Sequence, residues 1–453
     1  MGCETSLSIR FLVISFMQPD RFRWVHCQLD NLRRCMPSSI REILNELPAN
    51  LDETYQRILH DIPEQLRCHA RRVFQCMVAA SRPLRVEELS EIITTEFDLA
   101  GALSIAVKGW RPANPEEAVL CACSTLISII IDEKGSKIVQ FSHVSVKEFL
   151  TSDRIQTMDV GKISYYHIAL EPAHMLLARL CLTVLLQLDE NIDKTWLARS
   201  PLAFYAAQHW VDHANFGNVA SQIQDAMERL FSPKKPHFRA WIWLKKSADK
   251  RSMENFDERP PQPKLTPLFY AAFYGFGDLA RRLIVTHKEN VDARSINEWT
   301  PLHAASDRGH VGAVRVLLDH GSPMNARIHD NSTALDLASR NGHPKVVQLL
   351  LERRAASNSN TRTDLKRPLG LASKSGHLEV VRLLLDHGAE VIIQDERTFS
   401  PYEEAVRGGH HDVARLLWDH AKRSRRVDTL TSRVCCGIVA ANRIVGKIWD
   451  HIL

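Results

Sequence analysis

One short pattern recurs along the C-terminal part of this 453-residue chain and constrains its fold more than any other feature. A glycine followed by histidine or phenylalanine stands at positions 275, 309, 342, 376 and 409, at intervals of 34, 33, 34 and 33 residues. Nine residues before each glycine stand Thr266, Thr300, Thr333, Arg367 and Ser400. Thr or Ser at this position predicts the N-cap of a helix, and the glycine predicts the left-handed residue that ends it. A repeat of this period indicates helical hairpins that bury their apolar sides only by stacking on their neighbours.

The residues of this repeat resemble a known family. The segment TPLHAASDRGHVGAVRVLLDHGSPMNA (300–326) resembles an ankyrin repeat nearly to consensus. We count five repeats over 266–421, starting near positions 266, 300, 333, 367 and 400, which is more than the roughly three that a stable stack needs. Two departures predict locally weaker units: Arg367 replaces the capping Thr, and Arg353-Arg354 replace the glycine that ends a second helix.

Resemblance to ankyrin proteins implies that the chain binds a protein partner through its hairpin tips and its groove, with no small-molecule substrate. The positions before each glycine form a mildly basic strip, and the tips carry two large aromatic side chains. Trp and Arg are the residues that most often anchor interfaces, so we expect Trp299 and Arg340 to contribute most. The alternative for any single position is a side chain that is solvated and contacts no partner. The candidate partner-binding residues are Trp299, Arg308, Arg340, Lys374, Phe399 and Arg407.

The N-terminal half reads as several helices followed by a β-hairpin. Helical spacing of apolar residues runs through 38–97 and again near 116–123, and two apolar runs, 126–131 and 137–141, flank a turn. Helices followed by such a hairpin outline a winged helix. The predicted fold class is therefore mainly α: a winged-helix domain with a small β-hairpin, a helical connector and an ankyrin α-solenoid. The predicted boundaries are 1–37 for the N-terminus, 38–155 for the winged helix, 156–258 for the connector, 259–265 for a linker, 266–421 for the repeats and 422–453 for a basic amphipathic tail.

A second resemblance covers this half. The segments FRWVHCQLDNLRRC (22–35), ELPANLDETYQRIL (46–59), SRPLRVEELSEII (81–93) and FSHVSVKEFLTS (141–152) resemble the region that follows the NACHT domain in fungal, NLR-like ankyrin NTPases. The same winged helix occurs in proteins similar to GPI inositol-deacylase. The resemblance implies a role in fungal self/non-self recognition or signalling, and it makes 1–37 the remnant of an NTPase module together with an unmatched N-terminus. No GxxxxGK[ST] loop occurs in the sequence, so we expect no tightly bound nucleotide and no cofactor.

One histidine matches a functional position of that family. Phe141-Ser142-His143 followed by Glu148-Phe149 fits the pattern in which a winged-helix histidine contacts the ADP phosphate. The resemblance therefore implies a nucleotide-sensing role for His143. The alternative is a histidine at the end of a strand that makes structural hydrogen bonds only.

Charge and cysteine content exclude other classes. The net charge of +5 lies within 422–453, which holds seven Lys/Arg and two Asp, so the rest of the chain is balanced. A charge-neutral body disfavours binding of nucleic acid by the winged helix, because phosphate contacts need a basic face. The ten cysteines include no CxxC pair and no zinc-ligand spacing, which predicts a reducing, cytoplasmic location and no metal site.

Both termini carry patterns that are compatible with a contact to a membrane. Met1-Gly2-Cys3-Glu4-Thr5-Ser6 fits the myristoylation pattern at Gly2 with a palmitoylation site at Cys3. The apolar stripe of the tail either covers the end of the stack or binds an anionic membrane surface. With no catalytic signature in the sequence, we expect a protein that is not an enzyme. Three hypotheses remain: a protein-binding scaffold, a truncated fragment of a nucleotide-driven NACHT switch, and an acylated, membrane-tethered adaptor.

Overall fold

The computed structural model describes residues 50–94, 114–121, 125–156, 163–189, 192, 194–249, 265–295, 297–356, 365–391 and 400–423. The chain divides into two compact units, residues 1–262 and 263–453. The first unit is helical with a small sheet and the second consists of paired helices, so the predicted mainly α fold class is confirmed. The finer boundaries given above stay predictions.

The described part of the first unit contains helices and three strands. Its elements are α1 (Leu51–His60), α2 (Arg67–Ala79), β1 (Leu84–Arg85), α3 (Val86–Thr94), α4 (Pro115–Leu120), β2 (Ile127–Ile131), β3 (Lys137–Phe141), α5 (Val144–Thr151), α6 (Leu170–Leu185), α7 (Lys194–Ala198), α8 (Leu202–Ala214), α9 (Val219–Gln222), α10 (Gln224–Phe231) and α11 (His237–Asp249).

The sheet contains the predicted hairpin and one further strand. The strand order is β1-β3-β2, all antiparallel, so that Val139 of β3 pairs with Leu84 on one side and with Ile129 on the other. We did not predict β1, because two residues after Pro83 are too few to show an alternating pattern. Aromatic side chains join the helices to one another and to the sheet: the ring centroids of Tyr55 and Phe149 are 5.4 Å apart.

Helices α8, α10 and α11 pack around an aromatic core. Trp210 and Trp241 are fully buried, with ring centroids 5.4 Å apart, and Phe231 lies 5.5 Å from Trp241. The buried indole N–H of Trp241 donates to the carbonyl oxygen of Ala207 at 3.0 Å. Because a buried Trp needs a partner for its N–H, this bond lets the ring serve as core.

A buried polar network connects the turn before β1 to α8. Arg82 makes two hydrogen bonds, of 2.8 and 2.6 Å, to the carboxylate of Glu88, and its guanidinium lies 5.0 Å from the ring centroid of Tyr205. The Tyr205 hydroxyl accepts from the backbone N–H of Ser81 at 3.1 Å and bonds to Nε2 of His213 at 2.9 Å. Burial lowers the pKa of His213 to about 3, so this imidazole is neutral in the folded protein.

Within the described residues, the second unit consists of five helix pairs. They are α12 (Pro267–Phe273) with α13 (Gly277–Val285), α14 (Pro301–Asp307) with α15 (Val311–Asp319), α16 (Ala334–Arg340) with α17 (Pro344–Ala356), α18 (Lys366–Ser375) with α19 (Leu378–Asp386), and α20 (Pro401–Arg407) with α21 (His411–Arg423).

The pairs stack in sequence order. The first helices of successive pairs contact one another along α12, α14, α16, α18 and α20, and the second helices do the same along α13, α15, α17, α19 and α21. Each pair therefore meets its nearest neighbours, as expected for a repeat that cannot bury its apolar face alone. We call the two rows the inner and the outer helices.

The predicted caps are confirmed at four of the five inner helices. The side chains of Thr266, Thr300, Thr333 and Ser400 accept from the backbone N–H three residues on. Helix α18 begins without a side-chain cap, as the exchange to Arg367 predicted. Its guanidinium instead donates to the carbonyl oxygen of Asp330 at 2.8 Å and to the hydroxyl of Ser332 at 2.9 Å, both in the preceding repeat.

A row of histidines joins consecutive repeats. In four repeats, Nε2 of the histidine after the repeat glycine bonds to a carbonyl oxygen in the inner helix of the repeat before it, at 2.9 to 3.1 Å. The pairs are His310 with Phe273, His343 with Asp307, His377 with Arg340, and His410 with Lys374.

The glycines make room for these rings. Gly342 has φ of +72°, and a Cβ added there would lie 2.5 Å from Nδ1 of His377. The position therefore needs glycine both for its left-handed backbone and for the close approach of the next repeat.

Outer helix α17 lacks the terminal glycine of its two neighbours in the stack and is longer than they are. It runs for 13 residues, whereas α15 and α19 have 9 residues each. Arg353, in the extension, pairs with Asp319 of the preceding outer helix at 2.6 Å. The exchange of glycine for arginine thus adds an ion pair between repeats, and the local weakness that we expected from it stays a prediction.

Candidate protein-binding surface

Four of the six predicted binding residues, Arg308, Arg340, Lys374 and Arg407, lie at the C-terminal ends of the inner helices. The two residues before each repeat glycine occupy equivalent positions in successive repeats, and we call them the groove row. Its members are Phe273 and Tyr274, Asp307 and Arg308, Arg340 and Asn341, Lys374 and Ser375, and Arg407 and Gly408. Four of these ten residues are cationic and one is anionic, so the row is positively charged.

One aspartate organises the middle of the groove row. Oδ1 of Asp307 accepts from the side-chain amide of Asn341 at 2.8 Å and lies 3.7 Å from Nη2 of Arg340. Its other oxygen lies 3.9 Å from Nε of Arg308. Sequence analysis placed Asp307 and Asn341 in the strip before the repeat glycines, but it did not select either of them as a binding residue.

Arg308 also contacts the aromatic end of the groove row. Its guanidinium carbon lies 4.3 Å from the ring centroid of Phe273, a cation–π contact. The side chain of Arg308 is still 54% exposed and that of Arg340 is 40% exposed. Both cations are therefore held in place by neighbours while they remain open to a ligand.

The other two cations of the groove row lie further along the stack. Lys374, in the last turn of α18, and Arg407, in the last turn of α20, are both exposed. A cation in the last turn of a helix also interacts favourably with the helix dipole. The backbone carbonyl oxygen of Lys374, however, already accepts a hydrogen bond from His410. The ammonium group of Lys374 is therefore not needed as a donor to this carbonyl.

The two predicted tip aromatics differ in what the structure describes. Trp299 lies in the loop before α14, is half-buried, and has its ring centroid 6.4 Å from that of His303. Its backbone N–H donates to the hydroxyl of Ser295 at 3.0 Å, which fixes the loop next to it. Phe399 lies outside the described residues.

His143 caps a helix of the winged-helix region. Nδ1 accepts from the backbone N–H of Ser145 at 3.2 Å and lies 2.6 Å from the hydroxyl of the same residue, which in turn bonds to the hydroxyl of Tyr55 at 2.8 Å. With Nδ1 acting as acceptor, Nε2 carries the proton in the neutral ring. The structural alternative named above is therefore present, and the ring keeps one N–H donor for a ligand.

The predictions for the termini fall outside the described residues. Gly2, Cys3 and most of the basic tail belong to this part of the chain. A bilayer crossing would need a longer and more apolar helix than any within the described ranges. In those ranges, His, Cys, Asp and Glu side chains also form no group of three that could hold a metal ion.

Comparison with known families identifies two parts of the chain. The family model described as ankyrin repeats (3 copies) matches residues 268–363 and 356–428. The model described as the GPI inositol-deacylase winged helix domain matches residues 62–160. These matches cover the stacked helix pairs and the region around the three-stranded sheet.

Two similar proteins cover the chain to different extents. The azaphilone pigments biosynthesis cluster protein L of Monascus ruber is 30% identical over 290 residues, which is 60% of this chain and 60% of that protein. Alpha-latrocrustotoxin-Lt1a of Latrodectus tredecimguttatus is 41% identical over 51 residues, which is 11% of this chain and 4% of the toxin. The chain therefore corresponds to less than two thirds of either protein. What the matches establish is that this chain carries ankyrin repeats and a winged helix domain of the GPI inositol-deacylase type.

Proposed function

We propose that the chain is a non-catalytic scaffold whose ankyrin repeats bind a protein partner. The observation that carries the proposal is the groove row, a series of equivalent positions on five stacked helix pairs, four of which contribute a partly exposed cation. Stacked repeats of this kind create extended surfaces, and hot-spot residues on such surfaces are enriched in Trp, Tyr and Arg. We assign the binding to Arg308, Arg340, Lys374 and Arg407 along the groove, and to Trp299 and Phe399 at the tips.

Photo-crosslinking from single positions tests this proposal. A photoreactive phenylalanine analogue replaces Lys374 in the full chain, and a control carries it at Arg382, which is exposed on the outer helix of the same repeat. We expect a distinct polypeptide to be captured in fungal cells from position 374 and not from position 382. Capture of no polypeptide from the groove, or of the same set from both positions, would contradict the assignment. Turnover of ATP by the purified chain would contradict the non-catalytic part.

The cellular setting of the scaffold is a further part of this proposal. We place it in the cytoplasm, in NLR-like self/non-self recognition or signalling of a fungus. The match to a winged helix of the GPI inositol-deacylase type and the similarity to a Monascus protein support this setting. Deletion of the gene followed by confrontation with non-self strains tests it: we expect an altered incompatibility reaction, and an unchanged reaction with every strain would refute it.

His143 favours a second candidate function, a fragment of a nucleotide-driven NACHT switch. Its Nδ1 is engaged with Ser145, so Nε2–H is the donor that would meet a phosphate of a nucleotide held by an NTPase module. Transcript reads upstream of Met1 test this candidate. An in-frame GxxxxGK[ST] segment would support it, and transcripts that start at this Met1 in every condition would refute it.

An acylated, membrane-tethered adaptor is the third candidate, since Gly2 and Cys3 fit the acylation pattern. Two acyl chains anchor a protein stably where one gives only marginal binding. Metabolic labelling with alkyne-tagged myristate tests it. We expect label on the wild-type chain and none on Gly2→Ala, and equal labelling of the two would end this candidate.

A further inference from the structure

The sign and the spacing of the charges in the groove row indicate which kind of partner segment would fit it. The inference rests on the proposed function and concerns the same surface. Arg340, Lys374 and Arg407 occupy the same position in three successive repeats, and Arg308 follows one position later in the repeat before them. Because residues 1–421 carry no net charge overall, this concentration of cations on one face is not a general property of the chain.

The cationic groups of Arg308, Arg340 and Lys374 remain accessible to a ligand. The last-turn carbonyl oxygens of Arg340 and Lys374 accept from His377 and His410, so these side chains are not used to cap their own helices. Asp307 is the single anion of the row and divides its charge between two arginines at 3.7 and 3.9 Å. No ion pair of Lys374 occurs within the described part of the chain. The row therefore keeps a net positive charge.

The spacing of the cations follows from the stacking. Packed helices lie about 8 to 10 Å apart, so equivalent side chains of adjacent repeats are separated by about 10 Å. An extended polyproline II segment rises about 3.1 Å per residue with three residues per turn, so every third side chain points the same way at intervals of about 9 Å. A carboxylate at every third position would thus meet one cation per repeat.

From this geometry we propose that the groove row binds an extended acidic segment of a partner protein, with Asp or Glu at every third residue. The segment lies along the stack and places one carboxylate on each of Arg308, Arg340, Lys374 and Arg407. It spans about 30 Å, or about ten residues of polyproline II. Charge-assisted hydrogen bonds to arginine are the strong contacts in such a complex, and phosphate or nucleic acid is not required.

Three peptides of equal length test the spacing and the charge of the segment. The first probe is a fluorescein-labelled peptide with Glu-Ser-Pro repeated in register, the second has the same residues with all Glu clustered at one end, and the third replaces Glu with Gln. We expect the full-length chain to bind the first about fivefold or more tightly than the second, and the third not measurably, in fluorescence anisotropy at low salt. Equal binding of the first two would overturn the spacing, and equal binding of the first and third would overturn the acidic partner.

A matched pair of double variants locates the site. Arg340→Gln/Lys374→Gln removes two cations from the groove row, and Arg315→Gln/Arg382→Gln removes two exposed arginines from outer helices with the same change in net charge. We expect the groove variant to bind the first peptide about fivefold to thirtyfold more weakly, and the outer variant to stay within about twofold of wild type. Equal weakening by both would show a non-specific field effect and overturn the site.

These experiments distinguish failure of the acidic-segment inference from failure of the proposed scaffold function. If position 374 captures a partner by photo-crosslinking and that partner binds the groove variant and the wild type equally, the scaffold proposal stands and the acidic-segment inference falls. If position 374 captures nothing, the proposed function falls first, and the peptide titrations then decide the charge preference on their own.

Discussion

The joint between consecutive repeats should be sensitive to a single methyl group. Gly342 has φ of +72°, and Nδ1, Cε1 and Cγ of His377 would lie 2.5, 2.6 and 2.8 Å from an added Cβ. Gly342→Ala therefore costs about 1 to 2 kcal/mol for the left-handed backbone. Displacement of the ring also weakens the 3.0 Å bond from His377 to the carbonyl oxygen of Arg340, which costs about 1 kcal/mol more. We expect a total loss of about 2 to 3 kcal/mol in local stability.

Gly321→Ala is the matched control for the backbone term. Gly321 has φ of +84°, yet no atom lies within 4 Å of the Cβ position. We expect this variant to lose about 1 to 2 kcal/mol, since only the backbone strain applies. A double variant, Gly342→Ala in a His377→Ala background, should behave like the control, because the ring that the methyl group strikes is absent.

Native-state hydrogen exchange on the full chain measures both losses. Amides of α16 and α19 report the local opening of the joint, and the expected difference of about 1 kcal/mol between the two alanine variants appears as about a fivefold difference in the opening constant. If Gly342→Ala and Gly321→Ala agree within about 0.5 kcal/mol, the close approach contributes nothing and the reasoning is wrong.

Three further predictions concern other polar groups. Burial lowers the pKa of His303 below its ordinary 6.5, so the unfolded chain takes up a proton that the folded chain does not. The urea midpoint of the repeats should be constant above about pH 7 and fall as the pH drops below about 6.5, and His303→Gln should flatten that slope. Arg367→Ala removes the bond to Ser332 and should raise exchange of α18 amides by about fivefold, whereas an unchanged rate would show that this contact with the preceding repeat does not stabilise the start of α18. Tyr205→Phe leaves His213 without its hydroxyl partner and should lower the free energy of unfolding of the first unit by about 1 to 3 kcal/mol in urea titrations, and no change would mean that water replaces the hydroxyl.

The repeats could be predicted from the sequence because their signals are local. A Thr or Ser nine residues before a glycine fixes both ends of a short helix without reference to the rest of the chain, and four of the five caps follow this rule. Strand β1 gave no such signal, because two residues show no period and their pairing with β3 depends on residues more than fifty positions away. Ile223 likewise separates α9 from α10 in the region that we predicted only as a helical connector.

Only part of the candidate surface could be predicted from the sequence. The basic positions were visible, because equivalent residues of a repeat can be aligned by counting. The pairing of Asp307 with Arg340 and Asn341 was not visible, since it joins side chains of different repeats and depends on the rotamers that bring them together. The role of Arg367 was hidden for the same reason: its partners Asp330 and Ser332 lie more than thirty residues earlier in the chain.

The histidine joints are identical in kind, and each repeat supplies one half of a joint to each neighbour. The ring of His377 enters the space above Gly342, and the ring of His343 enters the equivalent space above Gly309. Removal of one whole unit of 33 residues between Gly309 and Gly342 would bring His377 above Gly309 and restore a joint of the same type. Stacks of this architecture can therefore gain or lose repeats by recombination in whole units, and the length of the binding surface can change between generations without any new contact having to arise.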